Sequence, residues 1–483
     1  MSPVTATIPA RDTQSVPRKR LERLCDPGSF RPLRSAALSP GLGERATPGD
    51  GVIAGAGTVG GRPVFCYSQD PDFLGGSLGE IHADTIVRTL KLAGDSGAPV
   101  VGFVESGGAR LQEGHAALAG YGRIFRESVR LSRRVPQVSI VSGVSAGGGA
   151  YSPALTDFVL MSRDARLFLT GPRVVAQAVG EEISMEELGG PRIHEQNGVC
   201  QLVAETESEA IGNARKLLGL LPQRIGQPSP TGEPGAPEVP DPGLTVPLDG
   251  RKTYDVRATV RAIVDRESLI DIHPRWGEAI FTGLGRLEGR PVAVVANQTR
   301  RFGGVIDADA AEKTAAFINL IDRFRLPLIV LVDTPGFMPG VRQEKSGVIR
   351  HGAALLKAFA GASVPKLTVV LRKAYGGAAI TMNSRDLGAD FVFAWPGAEI
   401  GIMSASQAVE FVHRREITDG TGDSARLASA YAAEHLTAEA AAASGFVDEM
   451  IEPADTRASL IWALATISNG NHRHGSHHPQ TGA

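Results

Sequence analysis

Laying residue i of this 483-residue chain on residue i+228 superimposes its two halves without a gap. Gly61-Arg62-Pro63-Val64 falls on Gly289-Arg290-Pro291-Val292, Gly75-Gly76 on Gly303-Gly304, and Pro99 on Pro327 at the head of an apolar run. After the runs 100–104 and 328–332, Glu105-Ser106-Gly107-Gly108 overlies Asp333-Thr334-Pro335-Gly336, an acidic turn behind a buried strand in each half. One residue later in offset, Gly147-Gly148 meets Gly376-Gly377, and farther on Asp157-Phe158-Val159 meets Asp390-Phe391-Val392. A period this long marks two copies of one domain and excludes a solenoid of short repeats.

Each half reads strand, strand, helix, strand. Ile86, Val87, Leu90 and Ala93 recur at helical spacing and predict a helix over 83–93, as does the stretch 310–324, each ahead of an apolar strand. The runs 138–144 and 367–371 end before glycine-rich turns, the strand ends beyond which α/β folds place ligands. Seven prolines between Gln227 and Pro247 block helix and central strand alike. The expected organisation is therefore a disordered segment 1–20, a first domain 21–226, a linker 227–247, a second domain 248–468 and a disordered His-rich tail 469–483.

Lys plus Arg number 50 against 52 Asp plus Glu, which disfavours a nucleic-acid partner. No apolar run approaches the roughly 18–20 residues of a membrane helix, and no secretory signal opens the chain, so no membrane partner and a cytoplasmic location are expected. Cys25, Cys66 and Cys200 lie far apart in sequence without CxxC pairing, so neither a disulfide framework nor a zinc ribbon is expected, and no metal site.

Three motifs carry chemistry. The G-x-G-x-x-G at Gly55, Gly57 and Gly60 continues into a second strand instead of a helix, and reads as a hairpin turn and not a dinucleotide loop. The G-x-S-x-G around Ser145 has the strand-to-helix setting of a nucleophile elbow, but Ser145 corresponds to Ala374 in the second half while the glycines behind it recur. The halves share backbone, not hydroxyl. Glycine pairs at such turns expose backbone N–H groups able to stabilise negative charge on an oxygen, and two turns imply two oxyanions. Ser106, Gly107, Gly108, Ala109 and Arg110 form a third turn, suited to a thioester or phosphate-bearing ligand, with Glu105 or Glu113 as alternative partners of Arg110.

At Gly75-Gly-Ser-Leu-Gly-Glu-Ile-His82, Glu105-Ser-Gly-Gly-Ala-Arg110, Tyr151-Ser-Pro-Ala-Leu-Thr-Asp157, Asp333-Thr-Pro-Gly-Phe337 and Arg372-Lys-Ala-Tyr-Gly-Gly-Ala378, the sequence resembles the carboxyltransferase β subunits of biotin-dependent acyl-CoA carboxylases, of the actinobacterial acetyl-/propionyl-CoA type. The likeness runs over about residues 18–455. It implies two crotonase-like domains of ββαβ units, and transfer of CO2 from carboxybiotin on a separate biotinylated α subunit to the α carbon of a coenzyme A thioester. It places the acyl-enolate hole at Gly147 and Gly148 and the biotin hole at Gly377 and Ala378, facing each other between protomers of a homohexamer built as a trimer of dimers. A monomer would be inactive. A decarboxylase or transcarboxylase would use the same scaffold in reverse, and a serine hydrolase built on Ser145 is the remaining enzymatic alternative.

After Ala378, where propionyl-type members carry an aromatic and an Asp, this chain has Ala379 and Ile380. Ile380 resembles members that accept acetyl-CoA or a broader range, and Ala379 leaves room for a longer acyl chain. The four-cysteine ribbon of the split bacterial acetyl-CoA carboxylases is absent from the sequence.

Overall fold

A computed structural model of the chain describes residues 15–419 and 422–468. Two compact units, Met1–Ser229 and Pro230–Ala483, each contain one copy of the repeat. The first carries β1 (Arg31–Leu33), β2 (Val52–Val59), β3 (Arg62–Gln69), β4 (Val100–Phe103), β5 (Gln137–Val141), β6 (Val144–Ala146), β7 (Phe158–Ser162), β8 (Arg166–Phe168) and β9 (Leu202–Ala204). Its main sheet runs β1-β2-β3-β4-β5-β7-β9, with β6 and β8 paired apart. The second carries β10 (Ile270–Ile272), β11 (Ile280–Leu287), β12 (Arg290–Asn297), β13 (Leu328–Thr334), β14 (Lys366–Tyr375), β15 (Phe391–Ala394), β16 (Glu399–Gly401) and β17 (Glu449–Met450) in the order β10-β11-β12-β13-β14-β15-β17, with β16 on β14. In both, an antiparallel hairpin leads through a helix into parallel strands, the ββαβ plan.

The helices Glu80–Ser96 and Ala308–Arg323 lie 228 residues apart and each buries one face. In the first, Ile86, Val87 and Leu90 pack on Val52, Val100, Tyr121 and Ile124. Each of those three side chains contributes roughly 1.5–3 kcal/mol of burial. The strands β5 and β13 are buried along their whole length, as parallel strands covered on each side require.

The duplication extends to hydrogen bonds that no residue-by-residue alignment displays. Gly60 and Gly61 (φ 56° and 74°) make the first hairpin turn and Glu288 and Gly289 (φ 51° and 75°) the second, both with the two positive φ values of a tight hairpin. Asp26 accepts from the Gly60 and Gly61 N–H groups and from Arg215. Asp265 does the same for Glu288, Gly289 and Arg457. Gln69 Oε1 accepts the Glu105 N–H at 3.0 Å, and Asn297 Oδ1 accepts that of Asp333 at 3.2 Å.

Two sequence expectations change. Gly55 and Gly57 lie inside β2, not in its turn: a side chain at 55 would meet Arg31 O at 2.2 Å, and one at 57 would meet Cys25 Sγ at 2.6 Å. Their absence of side chains admits β1 and the preceding helix. That helix, Val16–Leu24, includes residues 16–20, because Pro17 suits a first turn and buried Arg20 pairs with Glu105 (2.8 Å) and Glu207 (2.7 Å). The three thiols are free and buried, but Cys25 and Cys66 are neighbours in space, with Sγ atoms 3.9 Å apart.

The proline-rich stretch 227–247 contains no strand or α-helix. It is held by Arg286 on Pro230 O and Arg457 on Gly235 O. Residues 1–14 and the tail 469–483 lie outside the described residues. Among the described residues no helix is long and apolar enough to cross a membrane, and no group of three or more His, Cys, Asp or Glu could hold a metal ion.

Candidate active site

β6 ends at Ala146 and the chain reverses at Gly147 (φ 57°, ψ −128°) into the helix Gly148–Ala154. The Gly147 N–H donates to Phe168 O at 3.2 Å, and the Ala150 N–H to Gly147 O at 3.0 Å. Gly147 is therefore the residue that makes the turn, not one of its donors. Gly148 and Gly149 open that helix, so their N–H groups have no acceptor within it. Gly147 and Gly148 are the pair expected from the sequence, and in the structure β8 arrives beside β6 and takes the Gly147 amide.

In the second unit β14 runs unbroken to Tyr375, and Gly376 repeats the reversal with φ 57°. A side chain there would meet Ile402 O at 3.0 Å. The helix Gly376–Thr381 follows, and the Gly377 and Ala378 N–H groups lie in its first turn, where they have no acceptor within the helix. Gly148 and Gly149 correspond to Gly377 and Ala378 at a constant offset of 229, so the two turns present the same pair of amides. Ala379 is half-buried and Ile380 is 55% exposed on that helix.

A serine or threonine loop flanks each turn. Ser106 is stitched to β6 by its N–H on Val144 O (3.0 Å) and by the Ala146 N–H on its carbonyl (2.8 Å). Its hydroxyl accepts the Gly108 N–H at 3.2 Å, as Thr334 Oγ1 accepts that of Gly336 at 3.3 Å. Gly107 donates to Gly75 O and is exposed, and Ala109 is half-buried in a bridge to Leu78. The structure thus brings Ser106, Gly107 and Gly108 beside the first turn, with the Gly107 and Gly108 amides already engaged inside the protein.

Arg110 differs from the expectation of a ligand-binding cation. Its side chain is fully buried and pairs with Asp50 at 2.6 Å and Glu113 at 2.7 Å, while NH2 donates to Ser77 O. Glu105, the other partner considered for it, pairs with Arg20 instead. Arg110 is an internal pin for the loop, because an uncompensated Asp50 at that depth would be costly. In the second unit the corresponding acid, Asp333, is held by Arg372 at 2.8 Å and by the Tyr254 hydroxyl at 3.0 Å.

Ser145 is buried and its hydroxyl has no hydrogen-bond partner among the described residues. His194 turns Nε2 to Leu167 O, and Asp157 accepts the Gln137 N–H. No base reaches Ser145 Oγ, so no nucleophile is assembled there. His82 is also structural. The Gln69 amide NH2 faces its Nε2 at 3.2 Å, which makes that nitrogen an acceptor and the ring neutral. Burial, then the nearby Arg110 charge, pushes its pKa down to about 3.

Several residues that shape the site gave no sequence signal. Asp50 lies 60 positions from Arg110, and Tyr121 sits in the middle of an ordinary amphipathic helix, His115–Leu131. Only the approach of separate elements reveals them.

Comparison with known proteins gives this geometry its setting. The chain is 44% identical over 459 residues to the methylmalonyl-CoA carboxyltransferase 12S subunit of Propionibacterium freudenreichii subsp. shermanii, covering 92% of this chain and 87% of that one. It is 40% identical over 473 residues to the biotin-dependent acetyl-/propionyl-coenzyme A carboxylase beta5 subunit of Mycobacterium tuberculosis, covering 93% and 86%. A crystal structure of transcarboxylase 12S, described as a hexamer with methylmalonyl-coenzyme A and methylmalonic acid bound, superimposes with a TM-score of 0.89 at 43% identity over 93% of this chain and 89% of that one. The carboxyl transferase domain model matches residues 11–478. With that match spanning nearly the whole chain, and the duplicated crotonase-like fold beneath it, the chain belongs to the carboxyl transferase family.

Proposed function

We propose that the chain moves CO2 between carboxybiotin, presented by a separate biotinylated subunit, and the α carbon of an acyl-CoA, using the two backbone turns as oxyanion holes. The observation that carries this reading is the repetition of two first-turn amides at equivalent positions in both units, Gly148 with Gly149 and Gly377 with Ala378. Both carbonyl oxygens gain charge during transfer. The Gly377 and Ala378 amides would hold the ureido oxygen of the biotin group, which when bound would supply CO2 and accept the α proton of the thioester. The Gly148 and Gly149 amides would hold the enolate oxygen of the acyl-CoA while its α carbon forms the new bond to CO2. Fixed amides in a site closed to water stabilise such charge without reorganising. The chain's own residues supply donors and exclusion of water, and no side-chain nucleophile takes part.

Exposed apolar side chains follow both turns along the chain. Tyr151, Leu169, Val174 and Val179 follow the first, and Ile380, Ile402, Phe411 and Val412 follow the second, each 52–77% exposed. Patches of this kind mark interaction surfaces. The clefts of about 390 and 660 Å³ in the second unit contain neither turn. These features support a site completed by another protomer, the first unit of one chain meeting the second unit of the next within a hexamer.

Ala379 and Ile380 set the acyl end of the pocket in this reading, with small and apolar surfaces that admit acetyl, propionyl and longer chains. The 12S relative favours a second direction, carboxyl passing from acyl-CoA to biotin, through the same two holes. Reconstitution with a biotinylated partner, ATP, bicarbonate and acetyl-, propionyl-, butyryl- and longer acyl-CoAs tests the forward reaction. Methylmalonyl-CoA with the biotinylated partner alone tests the reverse. Carboxylation of at least one acyl-CoA, or carboxyl loss from methylmalonyl-CoA, is expected. Turnover in neither direction with a matched partner sinks the proposal.

A further inference from the structure

Tyr121 touches both elements of the first turn and nothing assigns it a role. Its ring lies against Gly148 so closely that a Cβ on that glycine would sit 2.8 Å from Cγ and Cδ2 and 2.9 Å from Cδ1. Its hydroxyl lies 3.1 Å from Ser106 Oγ, the same oxygen that accepts the Gly108 N–H. The ring is 5% exposed, among Ile86, Leu90 and Ile124. The cavity it borders, of about 10 Å³, has room for one water at most, so the ring has nowhere to retreat. The second turn has no such support: a Cβ on Gly377 would meet nothing within 4 Å.

We infer that Tyr121 is a positioning residue for carboxyl transfer, fixing the Gly148 amide and the Ser106–Gly108 loop relative to each other from beneath. The inference rests on the oxyanion reading of the first turn. Because the contact falls on the ring carbons at the root of the side chain, a methyl group at position 148 has to displace the whole ring and with it the hydroxyl from Ser106. The first turn is thereby pre-set inside its own unit, and the glycine at 148 is required for space in addition to its N–H. Misplacement of a catalytic donor by about 1 Å is sufficient to slow a reaction about 100-fold.

The test uses the enzyme assembled with its biotinylated partner and four variants, Gly148→Ala, Tyr121→Phe, Tyr121→Leu and the double variant Gly148→Ala/Tyr121→Leu. Gly148→Ala keeps the N–H and is expected to lower kcat by about 10- to 100-fold with a much smaller change in KM. Tyr121→Phe keeps the ring and loses the Ser106 contact, and is expected to lower kcat about fivefold. In the double variant the smaller leucine makes room for the methyl group, so its loss is expected to be clearly less than the product of the two single losses. Strict multiplication of the single effects, or a wild-type kcat in Gly148→Ala, overturns the proposal. Gly377→Pro run alongside separates the two levels: full activity there removes the oxyanion reading itself, whereas its inactivity together with multiplicative Tyr121 and Gly148 effects removes only the role of Tyr121.

Discussion

Replacing Gly377 by proline is expected to lower kcat for carboxyl transfer by about two to three orders of magnitude, about 3–4 kcal/mol of transition-state stabilisation, with little loss of fold stability. Proline differs from glycine here in one respect that matters, the missing N–H. Position 377 lies in the first turn of a helix, where the fixed φ of proline is tolerated and its amide has no intrahelical acceptor to lose. A Cβ built there meets no atom of another element within 4 Å. Gly377→Ala is the comparator, since it adds a Cβ and keeps the donor, and the proline variant is expected to fall at least tenfold below it. Single-turnover transfer from carboxybiotin, with circular dichroism and melting of both variants, measures this. Equal rates in the two variants would show that the amide at 377 stabilises no developing charge. The same exchange at Gly148 is less clean, because the added ring meets Tyr121.

Arg110→Met is expected to destabilise the first unit by about 3–5 kcal/mol, the usual cost of stranding one partner of a buried ion pair. The guanidinium lies at 2.6 Å from Asp50 and 2.7 Å from Glu113, and both Arg110 and Asp50 side chains are fully buried. Burial raises the Asp50 carboxyl above its ordinary value near 3.8, and Arg110 offsets part of that rise. Without the arginine the carboxyl moves farther up. The unfolded chain then holds fewer protons than the folded one between the ordinary value and the raised one, so the variant loses stability as pH rises through that window. Its deficit against the wild type is expected to shrink as the pH is lowered toward 4, where Asp50 is neutral. Denaturant unfolding at several pH values, beside KM for the acyl-CoA, decides the matter. An unchanged unfolding midpoint with a raised KM would restore Arg110 as a contact to the substrate.

The duplicated plan was readable in the sequence because it rests on glycine, proline and apolar runs whose physical demands are local. The helices Glu80–Ser96 and Ala308–Arg323 and the strands β2, β3, β11 and β12 keep the 228-residue register that the sequence displays. Gly376 recurs where Gly147 makes its turn because both reversals need positive φ. What the sequence hid depends on arrivals from elsewhere. The Gly147 amide is taken by Phe168, on a short strand that no periodicity marks. Asp26 and Asp265 perform one task at an offset of 239, outside the register of the repeat. Arg110 reads as a ligand-binding cation until Asp50 is placed beside it, and Tyr121 carries no signal until Gly148 is found against its ring.

Subunit complementation bears most directly on the claim that the two turns, one from each unit, serve a single reaction across protomers. Gly148→Pro and Gly377→Pro chains are each expected to be inactive with the biotinylated partner. When the two are co-assembled at equal amounts, half of the sites in every mixed pair receive both turns intact, and about a quarter of the wild-type rate is expected to return. Failure of any mixture to exceed the inactive parents, despite proven exchange of subunits, would contradict the account.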